Sequence, residues 1–121
     1  MAYATIADAS ANFQATTYTG NGGTQTITNA GNSNLKPDWL WVKNRSATDS
    51  HMLSDSTRGS TYAINSNGTG AQFVPTNGNV AFLTDGFSVG SNNNYNRSSS
   101  SLIAWQWKAN GGTTSSNSSG S

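Results

Sequence analysis

Lys36–Arg45, KPDWLWVKNR, sets two tryptophans one residue apart in a chain dominated by serine, asparagine, threonine and glycine. Far downstream, Ser101–Asn110, SLIAWQWKAN, repeats the device. On a β-strand residues i and i+2 share a face, so Trp39 and Trp41 point the same way, as do Trp105 and Trp107. In DWLWVKN the opposite face carries Leu40 and Val42. In SLIAWQWK Ile103, Trp105 and Trp107 share one face, and Leu102 and Ala104 lie opposite before Gln106 turns polar. Strands apolar on both sides belong in the middle of a sheet, covered by a second sheet, a loop or a neighbouring subunit.

The size of the indoles argues for the interior. Four tryptophans burying about 200 Å² each remove about 800 Å² from water, a gross gain of about 20 kcal/mol. The opposing backbone entropy is about 1–2 kcal/mol per residue. With 33% hydrophobic residues, the chain has few other large side chains to bury. Trp41, Trp105 and Trp107 are therefore expected in the core. Trp39, at the strand entrance after Pro37, is expected to be partly exposed. Lys43 and Arg45 continue its face, where their stems can lie over an indole at the rim.

The rest of the sequence agrees with strands. No window repeats apolar residues at helical spacing. Short runs of strand chemistry fall at 13–19, 24–28, 38–44, 51–53, 61–64, 71–74, 80–83, 87–89 and 101–108, separated by Gly- and Asn-rich turns such as TGNGG, NSNGTG and TDG. The reading is an all-β chain with little or no helix, folded as an antiparallel β-sandwich of jelly-roll or concanavalin-like type. Residues 1–110 form the domain. The stretch 111–121, GGTTSSNSSGS, reads as a flexible tail or linker, which raises the expectation of a further module beyond it.

Composition narrows the chemistry. Six basic residues against five aspartates give a net charge of +1, which offers no electrostatic ground for nucleic acid or an anionic membrane. There is no cysteine, no membrane-length apolar run, and no basic-then-apolar leader in MAYATIADAS. The single histidine, in TDSHMLSDS, shares an even spacing with Asp49 and Asp55. One imidazole and two carboxylates are too few for a specific metal site, and no acid–base pair or phosphate loop is present, so neither enzyme nor cofactor is expected. Asp55 and Arg58 in SDSTRGS can pair across a tight turn with Gly59 in an unusual conformation. A binding surface has better candidates: Trp39, Lys43 and Arg45 on one strand, with Asn93, Tyr95 and Arg97 in SNNNYNRSSS. An exposed aromatic ring there can stack on a sugar while asparagines bond its hydroxyls. Taken by itself, SNNNYNRSSS reads as a solvated hairpin loop.

Five segments together resemble a module of structural proteins from tailed bacteriophages, especially marine ones. They are NFQATTYTGNG (Asn12–Gly22), PDWLWVKNR (Pro37–Arg45), HMLSDSTRG (His51–Gly59), DGFSVGS (Asp85–Ser91) and AWQWKANGG (Ala104–Gly112). The resemblance implies a virion-associated β-sandwich, similar to concanavalin or laminin-G folds, in a tail fibre, tail tip or capsid decoration. Its implied partners are other virion proteins, copies of itself, or a host-surface glycan bound in lectin-like fashion. Trp39 stands where the module more usually has an aliphatic residue or Phe, and Gln106 where a small residue or Cys occurs.

Overall fold

The computed structural model describes residues 8–109 and 119, so all of the expected tail but Ser119 lies outside the described residues. After a 3-10 turn at Ala9–Ala11 come β1 (Phe13–Thr19), β2 (Gln25–Thr28), β3 (Trp39–Asn44), β4 (Met52–Asp55), β5 (Ile64–Asn65), β6 (Ala81–Leu83) and β7 (Gly86–Val89). A four-residue helix α1 (Asn93–Asn96) precedes β8 (Ser101–Trp107). The strands form two antiparallel sheets, a five-stranded one in the order β1-β8-β3-β4-β5 and a three-stranded one in the order β2-β7-β6. First pairs with last and second with seventh, the nesting of a jelly roll; β3, β4 and β5 then continue as a meander. The fold is the all-β sandwich that the strand spacing predicts.

Strand boundaries follow local chemistry closely. β1 occupies Phe13–Thr19, and β3 and β8 fall within the expected runs. The 71–74 run yields only an isolated bridge between Ala63 and Phe73. Gly86 sits at φ +108, and a Cβ there would lie 2.0 Å from the Ile27 carbonyl oxygen, so only glycine lets β7 close against β2. Just before it, Asp85 Oδ1 accepts a bond from the Leu35 N–H at 3.1 Å.

The interior lies between the sheets. From the larger one it receives Leu40 and Val42, Met52, and Leu102 and Ala104. From the other side come Ile27, Phe87 and Val89, with Tyr95 delivered by α1. Three buried amides occupy the same layer. Gln106 and Asn29 pair face to face, Nε2 to Oδ1 at 2.6 Å and Nδ2 to Oε1 at 3.1 Å, and Thr16 Oγ1 donates to Asn29 Oδ1 at 2.8 Å. Gln14 Nε2 reaches the carbonyls of Ser10 and Ser33, both at 2.9 Å. These bonds tie β1 and β8 to the β2–β3 connection and leave no amide of the three without a partner.

Here the expectation for the tryptophans is corrected. β3 buries Leu40, Val42 and Asn44 and leaves Trp39, Trp41 and Lys43 half-buried; β8 buries Leu102, Ala104 and Gln106 and leaves Ile103, Trp105 and Trp107 half-buried. Trp41, Trp105 and Trp107 are thus not core residues, and Trp39 is not exceptional among the four. The physical reason is volume. Sheets packed about 10 Å apart leave room for aliphatic side chains opposite Phe87 and Tyr95, and four neighbouring indoles would overfill that layer. Gln106, which the alternation marks as a solvent position, is inside because Asn29 is there to satisfy it.

Candidate functional site

Pairing within the five-stranded sheet assembles its outer face row by row. In one row Phe13 stands opposite Trp107, Trp107 opposite Trp39, and Trp39 opposite Asp55. In the next, Ala15, Trp105, Trp41, Leu53 and Ile64 line up across all five strands. A third holds Thr17, Ile103 and Lys43. Four tryptophans drawn from two distant segments therefore meet in one patch, with Phe13, 40% exposed, at its β1 border.

The rings pack on one another. Trp39 and Trp107 have centroids 4.4 Å apart, Phe13 and Trp107 4.9 Å, Trp41 and Trp105 5.2 Å, and Trp39 and Trp41 6.3 Å. Their planes are tilted by 34–57°. Such pairs contribute about 0.5–1.5 kcal/mol each beyond their buried area, which helps to hold the indoles in place. The result is a rugged apolar floor rather than a coplanar ledge. His51 closes one end, its ring 5.9 Å from Trp41 and its Nδ1 accepting from Trp41 Nε1 at 3.3 Å. An indole N–H is a donor only, so this bond satisfies the one polar atom of Trp41.

Lys43, Asp55 and Arg58 near the face are engaged. Lys43 Nζ donates to the carbonyls of Asn44, Ala47 and Asp49 at 2.6, 3.0 and 3.1 Å. All three ammonium hydrogens are thereby used in shaping the β3–β4 turn, so Lys43 is a structural residue rather than a ligand contact. Asp55 binds Arg58 through Oδ2 and Nε at 2.6 Å, and Gly59 takes φ +101, as the turn chemistry predicts. Arg45 is exposed beyond the end of β3, beside a hollow shared with Thr17, Thr19 and Ser101.

The second group of candidates does not form a surface. Tyr95 is wholly buried, its hydroxyl 3.1 Å from Ser54 Oγ, and burial pushes its phenol up to about 12. Burial likewise raises the phenol of Tyr18, whose hydroxyl donates to the Tyr95 carbonyl at 2.6 Å. Rather than a solvated loop, Asn92–Arg97 is a capped turn: Asn92 Oδ1 accepts from the Asn94 N–H at 3.0 Å, and buried Asn96 holds the Gly23 carbonyl at 2.6 Å. Arg97 is bidentate on Asp49, Nε reaching Oδ2 at 2.7 Å. That hydrogen bond holds the Asp49 carboxyl below the usual range and raises the guanidinium. Asn93 is exposed, and the Arg97 side chain, though paired, keeps 42% of its surface open to solvent.

Asp49, His51 and Asp55 have three different sets of partners, and among the described residues no group of three potential metal ligands exists. Ile103 lies on the face with Trp105 and Trp107 as the alternation predicts, and Phe13, Leu53 and Ile64 join it without having been singled out. Their alternation within each strand was visible, but the register that unites them was not.

The sequence profile of a domain of unknown function, DUF7483, matches residues 8–121, and the chain belongs to that family. No curated protein and no solved structure matches it.

Proposed function

We propose that this DUF7483 chain is a non-enzymatic structural module of a tailed-phage virion, in a capsid decoration or tail fibre, that attaches to another particle protein through its aromatic sheet face. One observation carries the reading: four half-buried tryptophans and the exposed Phe13 lie together on the outer face of the larger sheet. Aromatic residues concentrated on a surface are the usual anchors of a protein interface. The remaining uncharged Ser/Thr/Asn exterior keeps the module soluble. The resemblance of five segments to phage structural modules supports the virion setting.

The ring geometry favours a protein partner over a glycan. Tilted, mutually packed indoles give the knobs and hollows that side chains interdigitate with. Three of the candidate hydrogen-bonding groups for a sugar are engaged, Lys43 in its turn, Arg97 by Asp49 and Tyr95 in the core, which leaves Arg45 and Asn93 exposed.

The test is incorporation. Purified particles are probed by mass spectrometry for the wild-type chain and for Trp41→Gln/Trp105→Gln, whose fold is checked by circular dichroism. Wild type is expected in particles and the folded double variant is expected to be at least tenfold depleted. Absence of the wild type from particles, or full incorporation of the variant, overturns the proposal. Glycan-array binding lost in Trp39→Ala would move the face to sugar recognition.

A further inference from the structure

The outer border of the larger sheet offers a second surface beside its aromatic face. β1 is the last strand of that sheet, and among the described residues no strand pairs with its free side. Antiparallel pairing alternates, so only every second residue of β1 can bond β8. The N–H of Lys108 donates to the Asn12 carbonyl at 2.9 Å, and that of Gly20 to the Ser100 carbonyl at 2.9 Å. The even-numbered residues of β1 therefore face β8, and the N–H and C=O groups of Phe13, Ala15, Thr17 and Thr19 face away. A side-chain bond agrees: Gln25 Nε2 reaches the Thr19 carbonyl from the free side at 3.0 Å. Phe13, Ala15 and Thr17 keep a complete outward set.

Edge strands are normally blunted by shortness, charge, proline or a bulge. The other borders are short: β5 has two residues, β6 three and β2 four. β1 has seven, FQATTYT, with no charge and no proline, and its register with β8 runs without a bulge from Phe13 to Thr19. Beside it runs a groove of about 350 Å³, walled by Gln14–Thr17 on one side and by Ser10, Ala30 and Gly31 on the other.

We infer that β1 pairs with β1 of a second copy of this chain, antiparallel across a two-fold axis. Centring the axis on Ala15 sets Ala15 opposite Ala15 and Phe13 opposite Thr17. That register uses every outward group of those three residues and leaves the Gln25–Thr19 bond undisturbed. It also places the smallest side chain of the strand at the axis and covers each exposed Phe13 ring with the partner's Thr17. The strand is complementary to itself, so the second copy is the occupant the geometry specifies.

Sedimentation equilibrium on the full chain tests this. Wild type is expected to show a concentration-dependent dimer. Thr17→Pro deletes one outward N–H per copy without touching a bond to β8, and is expected to weaken dimerisation at least tenfold with an unchanged circular dichroism spectrum. Thr17→Ala, which keeps the N–H, stays dimeric. Should Thr17→Pro misfold, Ala15→Lys sets two like charges across the axis and gives the same loss, relieved by salt. A wild type that is monomeric throughout overturns the inference. So does a dimer that survives these edge variants yet is lost in Trp41→Gln, since that dimer would use the aromatic face.

Discussion

Gln106 decides which way β8 faces, and with it where Trp105 and Trp107 point, so its pairing with Asn29 is the most informative place to perturb the fold. Both residues are buried, Gln106 completely. Asn29→Ala removes both bonds to Gln106, the bond to the Leu35 carbonyl and the bond accepted from Thr16 Oγ1. The Leu35 carbonyl still receives the Gly86 N–H, and Gln106 Nε2 keeps Thr16 Oγ1 at 3.3 Å, but Gln106 Oε1 is left with no partner. An orphaned buried acceptor costs about 1–3 kcal/mol and each of the other three lost bonds about 1 kcal/mol, so Asn29→Ala is expected to destabilise by about 4–6 kcal/mol. Gln106→Leu is milder. Asn29 then still donates to Leu35 and accepts from Thr16, no atom is orphaned, and the leucine adds apolar burial; about 1 kcal/mol is expected. In the double variant the orphan no longer exists. Its cost should fall short of the sum of the singles by about 2 kcal/mol. Urea unfolding followed by circular dichroism, with unchanged m-values, measures all three. Strict additivity together with a neutral Gln106→Leu would mean that Gln106 is in solvent. The indoles would then lie inside, and the aromatic face would not exist.

Other perturbations follow from single contacts. Leu40→Ala, at a position with no exposure, should cost about 2–5 kcal/mol in the same assay. Trp41→Gln, one residue along on the outer face, should cost less than Leu40→Gln, because the latter alone buries an unsatisfied amide. Gly86→Ala forces a Cβ to 2.0 Å from the Ile27 carbonyl oxygen at φ +108, so a loss of about 3 kcal/mol or more is expected, read from the melting temperature. The Asp49 carboxyl, lowered chiefly by its hydrogen bond to Arg97, is depressed in the folded state. Its contribution is complete above the ordinary carboxylate range and disappears as pH falls through the depressed folded value; stability of Asp49→Asn should therefore decline less steeply on acidification than that of wild type.

Local signals carried the fold. Alternation in FQATTYT and SLIAWQW, and the Gly and Asn residues between runs, were enough to locate the main strands and to exclude long helices. The face of each strand was not legible. A strand such as WLWV is apolar on both sides, and period-two patterning has no sign that tells inside from outside when both sets are hydrophobic. The deciding residues were polar ones, and their meaning is non-local: Gln106 is buried because Asn29, 77 residues away, meets it. Tyr95 misled for the converse reason. Surrounded by asparagines and serines, it reads as a loop tip, yet α1 turns its ring into the interior, where Ser54 meets its hydroxyl. The Asp55–Arg58 turn was legible because it closes within four residues.

Phe13 connects the two surfaces. It lies on β1, whose free side is the edge, and its ring packs on Trp107, the first indole of the aromatic face. In the two-fold arrangement centred on Ala15 the two larger sheets become one continuous sheet, and their aromatic patches lie on the same side of it, adjoining at the axis. A stable interface takes roughly 800 Å² of each partner. Two aromatic patches held rigidly side by side present about twice the area of one, and engagement of the first raises the effective concentration of the second. On the proposed attachment through the aromatic face, edge pairing would make the module bivalent without a new contact to the particle. It also supplies a reason for leaving β1 long, uncharged and unblocked, where most sheets protect such an edge. The consequence is measurable: Thr17→Pro, though remote from the indoles of β3, should lower attachment to the particle surface as well as self-association, whereas Trp41→Gln should lower attachment alone.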